Sequence, residues 1–366
     1  MAMERLRDRE RAAASAAALT QGCLKAGRAE SEVVLDVRNL STQFSTRWGT
    51  VKAVDDVSYS VRRGETLGIV GESGSGKSVA ALSLMRLVPS PAGAIVGGQV
   101  ILNGRDLLQL SEKEMTAVRG REVAMILQDP MQALNPVFTI GNQVGETIEI
   151  HQGLKGGALW VKVIEALKKV RIPAPEARAR DYPHQMSGGM RQRVVGAIGV
   201  SSAPSLIIAD EPTTSLDVTI QAAYLRLLRQ IQEEQGVAII FITHDFGVVA
   251  KMCDRVAVMY AGRIVEMADV RTIFDRPLHE YTKALIASVP KAEEDLEQLP
   301  QLDGQPPLLH DLPPGDAFAP RSTLEFRPED AMIRPELVEV EPGHWVQLGR
   351  ASVADFDRYA HLVDYG

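Results

Sequence analysis

The stretch from Glu65 to Ser78 reads E-T-L-G-I-V-G-E-S-G-S-G-K-S. Its first part, Glu65 to Val70, predicts a buried strand, and the glycine-rich part from Gly71 to Ser78 predicts a turn. The following residues, Val79 to Leu87, predict a helix that Pro89 ends. A strand, a glycine-rich turn and a helix in this order are typical of a phosphate-binding loop.

The loop matches the pattern G-x-x-x-x-G-K-[ST]. Its glycines let the backbone come close to phosphates, so that successive N–H groups and the helix N-terminus point at the anion. Lys77 is predicted to neutralise the β- and γ-phosphates of a nucleotide, and Ser78 to bind Mg²⁺. A flexible glycine turn without a ligand is the alternative. The residues expected to bind ATP here are Gly71, Glu72, Ser73, Gly74, Ser75, Gly76, Lys77, Ser78 and Val79.

A second element is the apolar run Leu206 to Ala209, which ends in the carboxylates of Asp210 and Glu211. Side chains alternate along a strand, so the two carboxylates are expected to point in different directions. Asp210 is predicted to hold Mg²⁺, and Glu211 to face the nucleophilic water. A buried strand that runs into an acidic turn is also common without any catalytic role, and the upstream loop is what favours the catalytic interpretation.

Composition excludes several classes of protein. The chain has 366 residues, 45% of them apolar, with 40 basic and 47 acidic side chains and a net charge of −7. This balance gives no reason to expect a nucleic-acid surface. Two cysteines, Cys23 and Cys253, cannot build a disulfide framework or a four-thiolate metal site, which indicates the reducing cytosol. Apolar runs such as Val237 to Ile242 are shorter than the ~18 residues of a membrane-spanning helix.

The pattern along the chain predicts an α/β fold. Val33 onward and Lys52 to Val61 alternate like strands of a half-buried antiparallel sheet. Buried strands at Leu206 to Ala209 and Val237 to Thr243 flank an amphipathic helix, which implies a parallel central sheet. Between Ser111 and Ala203 the pattern is mainly helical, with one short strand at Val123 to Leu127.

We therefore expect four parts: a disordered or frayed leader at 1–31, a nucleotide-binding domain at 32–290, a helical subdomain inserted in it at about 129–203, and a Pro-rich C-terminal extension at 291–366. A partner-binding helix is the alternative for the leader.

The segment Met186 to Arg193 reads M-S-G-G-M-R-Q-R and precedes an apolar helix. The S-G-G triplet, placed upstream of the strand that carries Asp210 and Glu211, resembles the signature motif of ATP-binding cassette (ABC) ATPases. The resemblance implies an ABC-type ATPase core with an antiparallel β subdomain and a helical subdomain. It also implies a head-to-tail dimer, in which Ser187, Gly188, Gly189 and Met190 face the nucleotide held by the other subunit.

Other marks of this family follow in order. Gln128 resembles the glutamine that reaches Mg²⁺ and the attacking water, and His244 resembles the histidine that contacts the γ-phosphate. Ser215-Leu216-Asp217 resembles the loop that crosses the dimer interface, although an N-cap explains Asp217 equally well. Phe44 resembles the aromatic residue that stacks on adenine, with Trp48 as a less favoured candidate. Taken singly, each has an ordinary explanation, as a surface glutamine, an isolated histidine or simple packing.

Further segments resemble the ATPase subunits of dipeptide and oligopeptide importers. They are Gln128 to Pro136, Tyr182 to Gln185 and Pro277 to Leu285, together with the tail around Gly315 to Ser322. Relatives commonly carry cluster-binding cysteines where this chain has Asp316 and Ser322. Asp and Ser oxygens lack the softness that an iron–sulfur cluster needs. We predict no cluster, and the role of this tail stays open.

The resemblance implies an ATP-hydrolysing subunit of an importer for peptides or peptide-like solutes, at the cytoplasmic face of the cell (inner) membrane. Its cofactors would be ATP and Mg²⁺. Its partners would be a second ABC ATPase in a heterodimer, two transmembrane permeases and an extracytoplasmic solute-binding protein, with no nucleic acid. The alternatives are an importer of opines, glutathione-like molecules or metal chelates, a soluble non-transport ABC ATPase, a catalytically silent subunit and an exporter.

Overall fold

The computed structural model describes residues 32–214, 216–289, 302–324, 327–329 and 332–363. The predicted leader and Ser215 lie outside the described residues. The strands are β1 (Val33–Thr46), β2 (Gly49–Arg62), β3 (Thr66–Val70), β4 (Gly93–Leu102), β5 (Arg105–Asp106), β6 (Val123–Ile126), β7 (Leu206–Asp210), β8 (Ala238–Thr243), β9 (Arg255–Tyr260), β10 (Arg263–Asp269), β11 (Leu337–Glu341) and β12 (His344–Gln347).

Twelve α-helices lie between or after these strands in the described residues. They are α1 (Lys77–Leu84), α2 (Glu112–Val118), α3 (Pro130–Ala133), α4 (Ile140–Gln152), α5 (Gly156–Lys169), α6 (Pro175–Arg178), α7 (Gly188–Val200), α8 (Val218–Gln235), α9 (Phe246–Met252), α10 (Val270–Asp275), α11 (Glu280–Ala287) and α12 (Phe356–Tyr359). Among the described helices, none is both long and apolar enough to cross a membrane.

A four-stranded sheet, in the order β2-β1-β4-β5, carries the antiparallel part of the fold. β1 pairs antiparallel with β4, and Leu35 lies opposite Leu102. Both side chains are fully buried in a core that also contains Leu67 of β3. The alternation of buried and exposed positions along β1 and β2 therefore places one face of this sheet against the central sheet.

The central sheet has eight strands in the order β11-β12-β10-β9-β3-β8-β7-β6. The run from β9 to β6 is parallel, and β10, β12 and β11 are antiparallel additions. Val70 at the end of β3 lies opposite Thr243 at the end of β8, and Ile242 lies opposite Asp210 at the end of β7. The carboxyl ends of these strands thus meet at one edge of the sheet, where ligands bind in open α/β folds.

Helices α3 to α7 are inserted between β6 and β7 and form the helical part of the fold. They pack through side chains with almost no exposure, such as Val144 on α4, Leu167 on α5 and Val194 on α7. Helix α4 begins after the N-cap residue Thr139 and ends before the C-cap residue Gly153, which adopts a positive φ. The insertion begins directly after Gln128, so the end of β6 connects the helical part to the edge of the central sheet.

The C-terminal part of the chain extends the central sheet. β12 hydrogen-bonds to β10 with Glu266 opposite Val346. The Glu266 carboxylate is fully buried, lies 2.8 Å from Nε2 of His344, and accepts hydrogen bonds from the backbone N–H groups of Leu278 and His279 at 2.8 and 3.1 Å. One buried carboxylate therefore connects β10, β12 and the segment before α11.

Candidate active site

The phosphate loop connects β3 to α1, as the sequence predicted, and helix α1 begins at Lys77 rather than Val79. Gly71 has a φ of 155°, and a Cβ there would lie 2.1 Å from the carbonyl oxygen of Met259. A Cβ on Gly76, whose φ is 103°, would lie 2.2 Å from the carbonyl oxygen of Ala53. Both positions need glycine because the loop backbone packs directly on β9 and β2.

Lys77 lies inside this loop. Its buried Nζ donates hydrogen bonds of 2.8 Å to the carbonyl oxygens of both Gly71 and Glu72. Burial lowers the pKa of the Lys77 ammonium, although the nearby carboxylates of Glu211 and Asp210 act in the opposite direction. These contacts wrap the loop backbone around the ammonium group, as expected for a loop that binds a polyanion.

The other loop residues differ in exposure. Ser73, Gly74 and Ser78 are exposed, and Ser75 is buried. Val79 is partly buried against the core of the antiparallel part. A substituent at Gly74, whose φ is 79°, would meet no atom within 4 Å. The loop thus offers an open outer side to a ligand, while its inner side is packed.

Two oxygen atoms that could serve as metal ligands lie in contact, one at the start of α1 and one at the end of β7. Ser78 Oγ donates a hydrogen bond of 3.2 Å to Oδ1 of Asp210. Burial raises the pKa of Asp210, and the Glu211 carboxylate adds to this, while the Ser78 hydroxyl opposes it. A hydroxyl and a carboxylate oxygen in contact form a hard donor pair that fits Mg²⁺.

Glu211 holds its carboxylate between three side chains. Oε2 accepts hydrogen bonds of 3.1 Å from Gln128 Nε2 and from Thr214 Oγ1, and Oε1 lies 3.3 Å from Nδ1 of His244. The backbone of Glu211 has a φ of 44°, which is uncommon for a residue with a side chain. The chain therefore turns sharply after Asp210, and this turn separates the two carboxylates.

The structure brings together Gln128, Glu211 and His244, which the sequence placed in one catalytic group. Thr214 also contacts Glu211, and the sequence did not predict this contact. The only local feature that could have indicated Thr214 is a hydroxyl three residues after Glu211, in a turn whose backbone N–H bonds back to the Glu211 carbonyl oxygen. A hydroxyl at this position carries no distinctive pattern.

The signature residues open helix α7. Ser187 is its N-cap and accepts a 3.4 Å hydrogen bond from the N–H of Met190. A Cβ on Gly188 would meet nothing within 4 Å, whereas one on Gly189 would lie 2.6 Å from Cγ2 of Ile220 on α8. Within the described part of the chain, no hydrogen bond or ion pair joins residues 187–190 to residues 71–78. The assignment of this segment to a second subunit's nucleotide stays a prediction.

The segment before α8 has the predicted capping geometry. Asp217 is the N-cap of α8 and accepts hydrogen bonds from the N–H groups of Thr219 and Ile220 at 3.1 and 3.0 Å. Leu216 is partly buried against the core of the helical part. The capping explanation of Asp217 thus holds, and its additional role at a dimer interface stays a prediction.

The two aromatic candidates for adenine stacking differ in their surroundings. Phe44 is partly buried on β1, opposite Gly93 of β4, and a Cβ on Gly93 would lie 2.6 Å from its ring. Trp48, in the turn between β1 and β2, is 66% exposed, and the Arg47 guanidinium lies 4.4 Å from its ring centre. The favoured Phe44 therefore packs on a glycine, and its role with adenine stays a prediction.

The two positions for which the resemblance implied cluster-binding cysteines, Asp316 and Ser322, are occupied by hydrogen-bonded oxygen groups. Oδ1 of the buried Asp316 accepts a 2.8 Å hydrogen bond from the N–H of Phe318, and burial raises the pKa of Asp316. Ser322 Oγ donates a hydrogen bond to the Glu280 carboxylate. In the described part of the chain, Cys253 is buried and forms no disulfide, and no group of three or more His, Cys, Asp or Glu side chains is arranged to hold a metal.

Two family models match this chain. The model described as "ABC transporter" matches residues 54–214. The model described as "Oligopeptide/dipeptide transporter, C-terminal region" matches residues 265–326. The first match contains the phosphate loop, the signature and the acidic pair, and the second contains α11 and the segment around Arg321.

Individual relatives agree with these models. A probable peptide ABC transporter ATP-binding protein of Sinorhizobium fredii is 48% identical over 88% of this chain and 96% of that protein. An oligopeptide transport ATP-binding protein of Bacillus subtilis is 48% identical over 86% of this chain and 88% of that protein.

A solved structure, the dimeric post-hydrolysis state of the ATP-binding cassette MJ0796 bound to ADP and phosphate, matches with a TM-score of 0.58 and 25% identity. The match covers 65% of this chain and 99% of that cassette. Fold, motifs and relatives thus agree: the chain belongs to the ABC transporter family, as an ATP-hydrolysing subunit of its oligopeptide/dipeptide branch.

Proposed function

We propose that this chain hydrolyses ATP to energise an importer of peptides or peptide-like solutes. The observation that carries the proposal is the position of Glu211. Its carboxylate contacts Gln128 and His244, and it directly follows Asp210, whose carboxylate contacts Ser78 of the phosphate loop. This arrangement supports the proposal that Glu211 acts as the base, and that Ser78 and Asp210 bind the metal, next to the phosphate loop.

The proposed mechanism assigns a task to each of these residues. The loop N–H groups and Lys77 bind the phosphates of ATP and neutralise the charge that develops in the transition state. Glu211 orients and polarises the attacking water. Hydrogen bonds from Gln128 and Thr214 hold the Glu211 carboxylate in place. His244 contacts the γ-phosphate. Phe44 would stack on the adenine of the nucleotide.

Ser78 and Asp210 would hold Mg²⁺, with Gln128 as a third candidate ligand. When bound, the metal supplies positive charge to the phosphate oxygens.

The signature residues would act on a second nucleotide. Gly188 has open space around its Cα, so a phosphate group can approach the N-terminus of α7 closely. We infer a head-to-tail dimer with a second ABC ATPase, as a heterodimer, in which Ser187 to Met190 and Ser215 to Asp217 lie at the interface. The dimeric cassette MJ0796 bound to ADP and phosphate supports such an assembly for this fold.

The inferred membrane partners are two permease subunits and an extracytoplasmic solute-binding protein, with this chain at the cytoplasmic face of the cell (inner) membrane. Four exposed apolar side chains around and after Gln128 support a contact surface here: Leu127, Met131, Val137 and Phe138. Because Gln128 contacts Glu211, a partner seated on this surface can be coupled to hydrolysis. We also infer the division into a leader at 1–31, a nucleotide-binding domain at 32–290 and an extension at 291–366.

Purification of the tagged full-length chain from its native membranes tests this proposal. We expect two permeases and a second ABC ATPase to co-purify, and mass spectrometry identifies them. We also expect ATP hydrolysis to rise when the cognate binding protein and a peptide are added to the complex. A chain that purifies alone, or with ribosomes or DNA, would contradict the transport assignment. Stimulation by an opine or a metal chelate instead of peptides would correct the solute.

A further inference from the structure

An ion pair joins the C-terminal region to the phosphate loop. Nη1 of Arg321 lies 2.8 Å from Oε2 of Glu72, and Nη2 lies 3.3 Å from Oε1, across a separation of 249 residues. The Arg321 side chain is 3% exposed and that of Glu72 is 31% exposed. This two-contact geometry with a shielded guanidinium fixes the orientation of the carboxylate as well as its charge.

The surroundings of Arg321 hold it in this orientation. Its Nε donates a 3.1 Å hydrogen bond to the carbonyl oxygen of Asp303, and its guanidinium carbon lies 5.8 Å from the ring centre of Tyr260. Tyr260 in turn packs against Phe318. The guanidinium therefore has partners besides Glu72.

Glu72 is held at three points. Its N–H donates a 2.8 Å hydrogen bond to Oη of Tyr281 on α11, its carbonyl oxygen accepts from Lys77, and its carboxylate pairs with Arg321. Tyr281 and Arg321 both lie in residues 265–326, which match the C-terminal region of oligopeptide/dipeptide transporters. Two contacts from this region thus reach one residue of the loop.

The charge of Glu72 conflicts with the role of the loop. A carboxylate within a phosphate-binding loop repels a polyphosphate, because like charges in a partly shielded site interact strongly. Arg321 supplies the opposite charge and turns the carboxylate towards the C-terminal region. The loop N–H groups and Lys77 then determine the charge that the nucleotide meets.

We propose that Arg321 is a positioning residue of the nucleotide site, which holds and neutralises Glu72 so that the phosphate loop binds ATP. The inference rests on the proposed nucleotide site and adds a contribution from the C-terminal region of the same chain.

The test compares ATP binding by the purified full-length chain and its variants, by calorimetric titration with ATP and Mg²⁺. We expect Arg321→Met to weaken binding by about tenfold, because the Glu72 charge is left uncompensated. Adding Glu72→Gln to Arg321→Met removes that charge and is expected to restore binding to within about threefold of wild type. A loss of packing alone would not be repaired by this second change.

The pair Arg276–Glu341 provides a matched control. It has the same two-contact form, at 2.8 and 3.3 Å, but its arginine side chain is 62% exposed and its glutamate, Glu341 on β11, is not part of the loop. We expect Arg276→Met to leave the affinity for ATP unchanged.

Each outcome has one meaning. If the wild-type chain fails to bind ATP, the proposed function fails. If wild type binds ATP and Arg321→Met binds equally well, or if the double variant stays as weak as the single one, the role of Arg321 is overturned. If Arg321→Met does not fold, Arg321→Gln, which removes the charge but keeps a hydrogen-bonding side chain, decides: binding about tenfold weaker than wild type supports the proposal, and binding equal to wild type overturns it.

Discussion

Gln128 Nε2 donates a 3.1 Å hydrogen bond to Oε2 of Glu211, across 83 residues of sequence. The contact arises because Gln128 follows β6 and Glu211 follows β7, and these strands are parallel neighbours with Ile126 opposite Ala209. Gln128 also begins the connection to the helical part. A displacement of the helical part would therefore move the hydrogen bond from Gln128 to the Glu211 carboxylate.

The first prediction concerns Glu211→Gln. The variant keeps the size of the side chain but removes the negative charge that polarises water. We expect kcat for ATP hydrolysis by the purified complex to fall by at least about a hundredfold, while ATP binding stays within about twofold and the ATP-bound dimer accumulates. Phosphate release, ATP titration and light scattering measure these three quantities. Glu233→Gln, at an exposed position of α8, is the control, and hydrolysis by Glu211→Gln at the wild-type rate would refute the assignment.

The second prediction concerns Asp210→Asn. The change weakens the oxygen donor that Ser78 contacts, so we expect the affinity for ATP with Mg²⁺ to fall by about tenfold or more. Affinity for ATP in excess EDTA should stay as in wild type, because the loop and Lys77 are intact. The control is Asp269→Asn, which makes the same change at the N-cap of α10 and should change neither affinity. An equal loss with and without Mg²⁺ would argue against a metal role.

The third prediction concerns Gly188→Leu on α7. Space around Gly188 is open within this chain, so the variant should fold and bind ATP with unchanged affinity. In the assembled complex, however, the side chain would lie against the partner's nucleotide, and we expect ATP-dependent closure and hydrolysis to be lost. Gly157→Leu, at an equally open position near the start of α5, is the matched control. Normal hydrolysis by Gly188→Leu would place the signature outside the dimer interface.

The fourth prediction concerns His279, the N-cap of α11, whose Nδ1 accepts a 3.1 Å hydrogen bond from the N–H of Tyr281. Burial lowers its pKa to about 4, from an ordinary value of 6.5, although the Glu266 carboxylate acts in the opposite direction. Between these values the unfolded chain binds a proton that the folded chain does not. Stability is therefore full above pH 6.5 and decreases as the pH falls towards 4.

By this linkage His279 lowers the free energy of unfolding by about 2 kcal/mol at pH 5 relative to pH 7.5. His279→Asn keeps a capping acceptor but does not titrate, so wild type should lose about 2 kcal/mol more than the variant over this range. Urea unfolding at both pH values measures the difference. Parallel losses in the two proteins would show that His279 is not the group responsible.

The sequence predicted those parts of the site whose chemistry requires a local pattern. The phosphate loop is such a case, because Gly71 and Gly76 must allow close backbone packing and Lys77 must follow at a fixed distance along the chain. The acidic pair Asp210 and Glu211 is another, since an apolar strand has to deliver it to the sheet edge. These features repeat in any chain that binds phosphates in this way.

Contacts between distant segments have no such pattern. Nothing near Arg321 in the sequence indicates that it pairs with Glu72, and Thr214 is an ordinary turn residue until the fold brings it to Glu211. The glycines within β4, which lower strand propensity, explain why that strand was not expected. β12 was not expected because its partner, β10, lies far upstream in the chain, and β11 in turn pairs with β12.

The pairing of β12 with β10 also determines where the chain can be truncated without damage to the central sheet. A fragment ending near residue 290 would present β10 as a bare sheet edge, open to pairing with other chains. It would also leave the buried carboxylate of Glu266 without the imidazole of His344. Such a fragment would tend to aggregate. Activity and stability measured on a fragment ending near residue 290 would therefore reflect the exposed sheet edge and not the properties of the full-length chain.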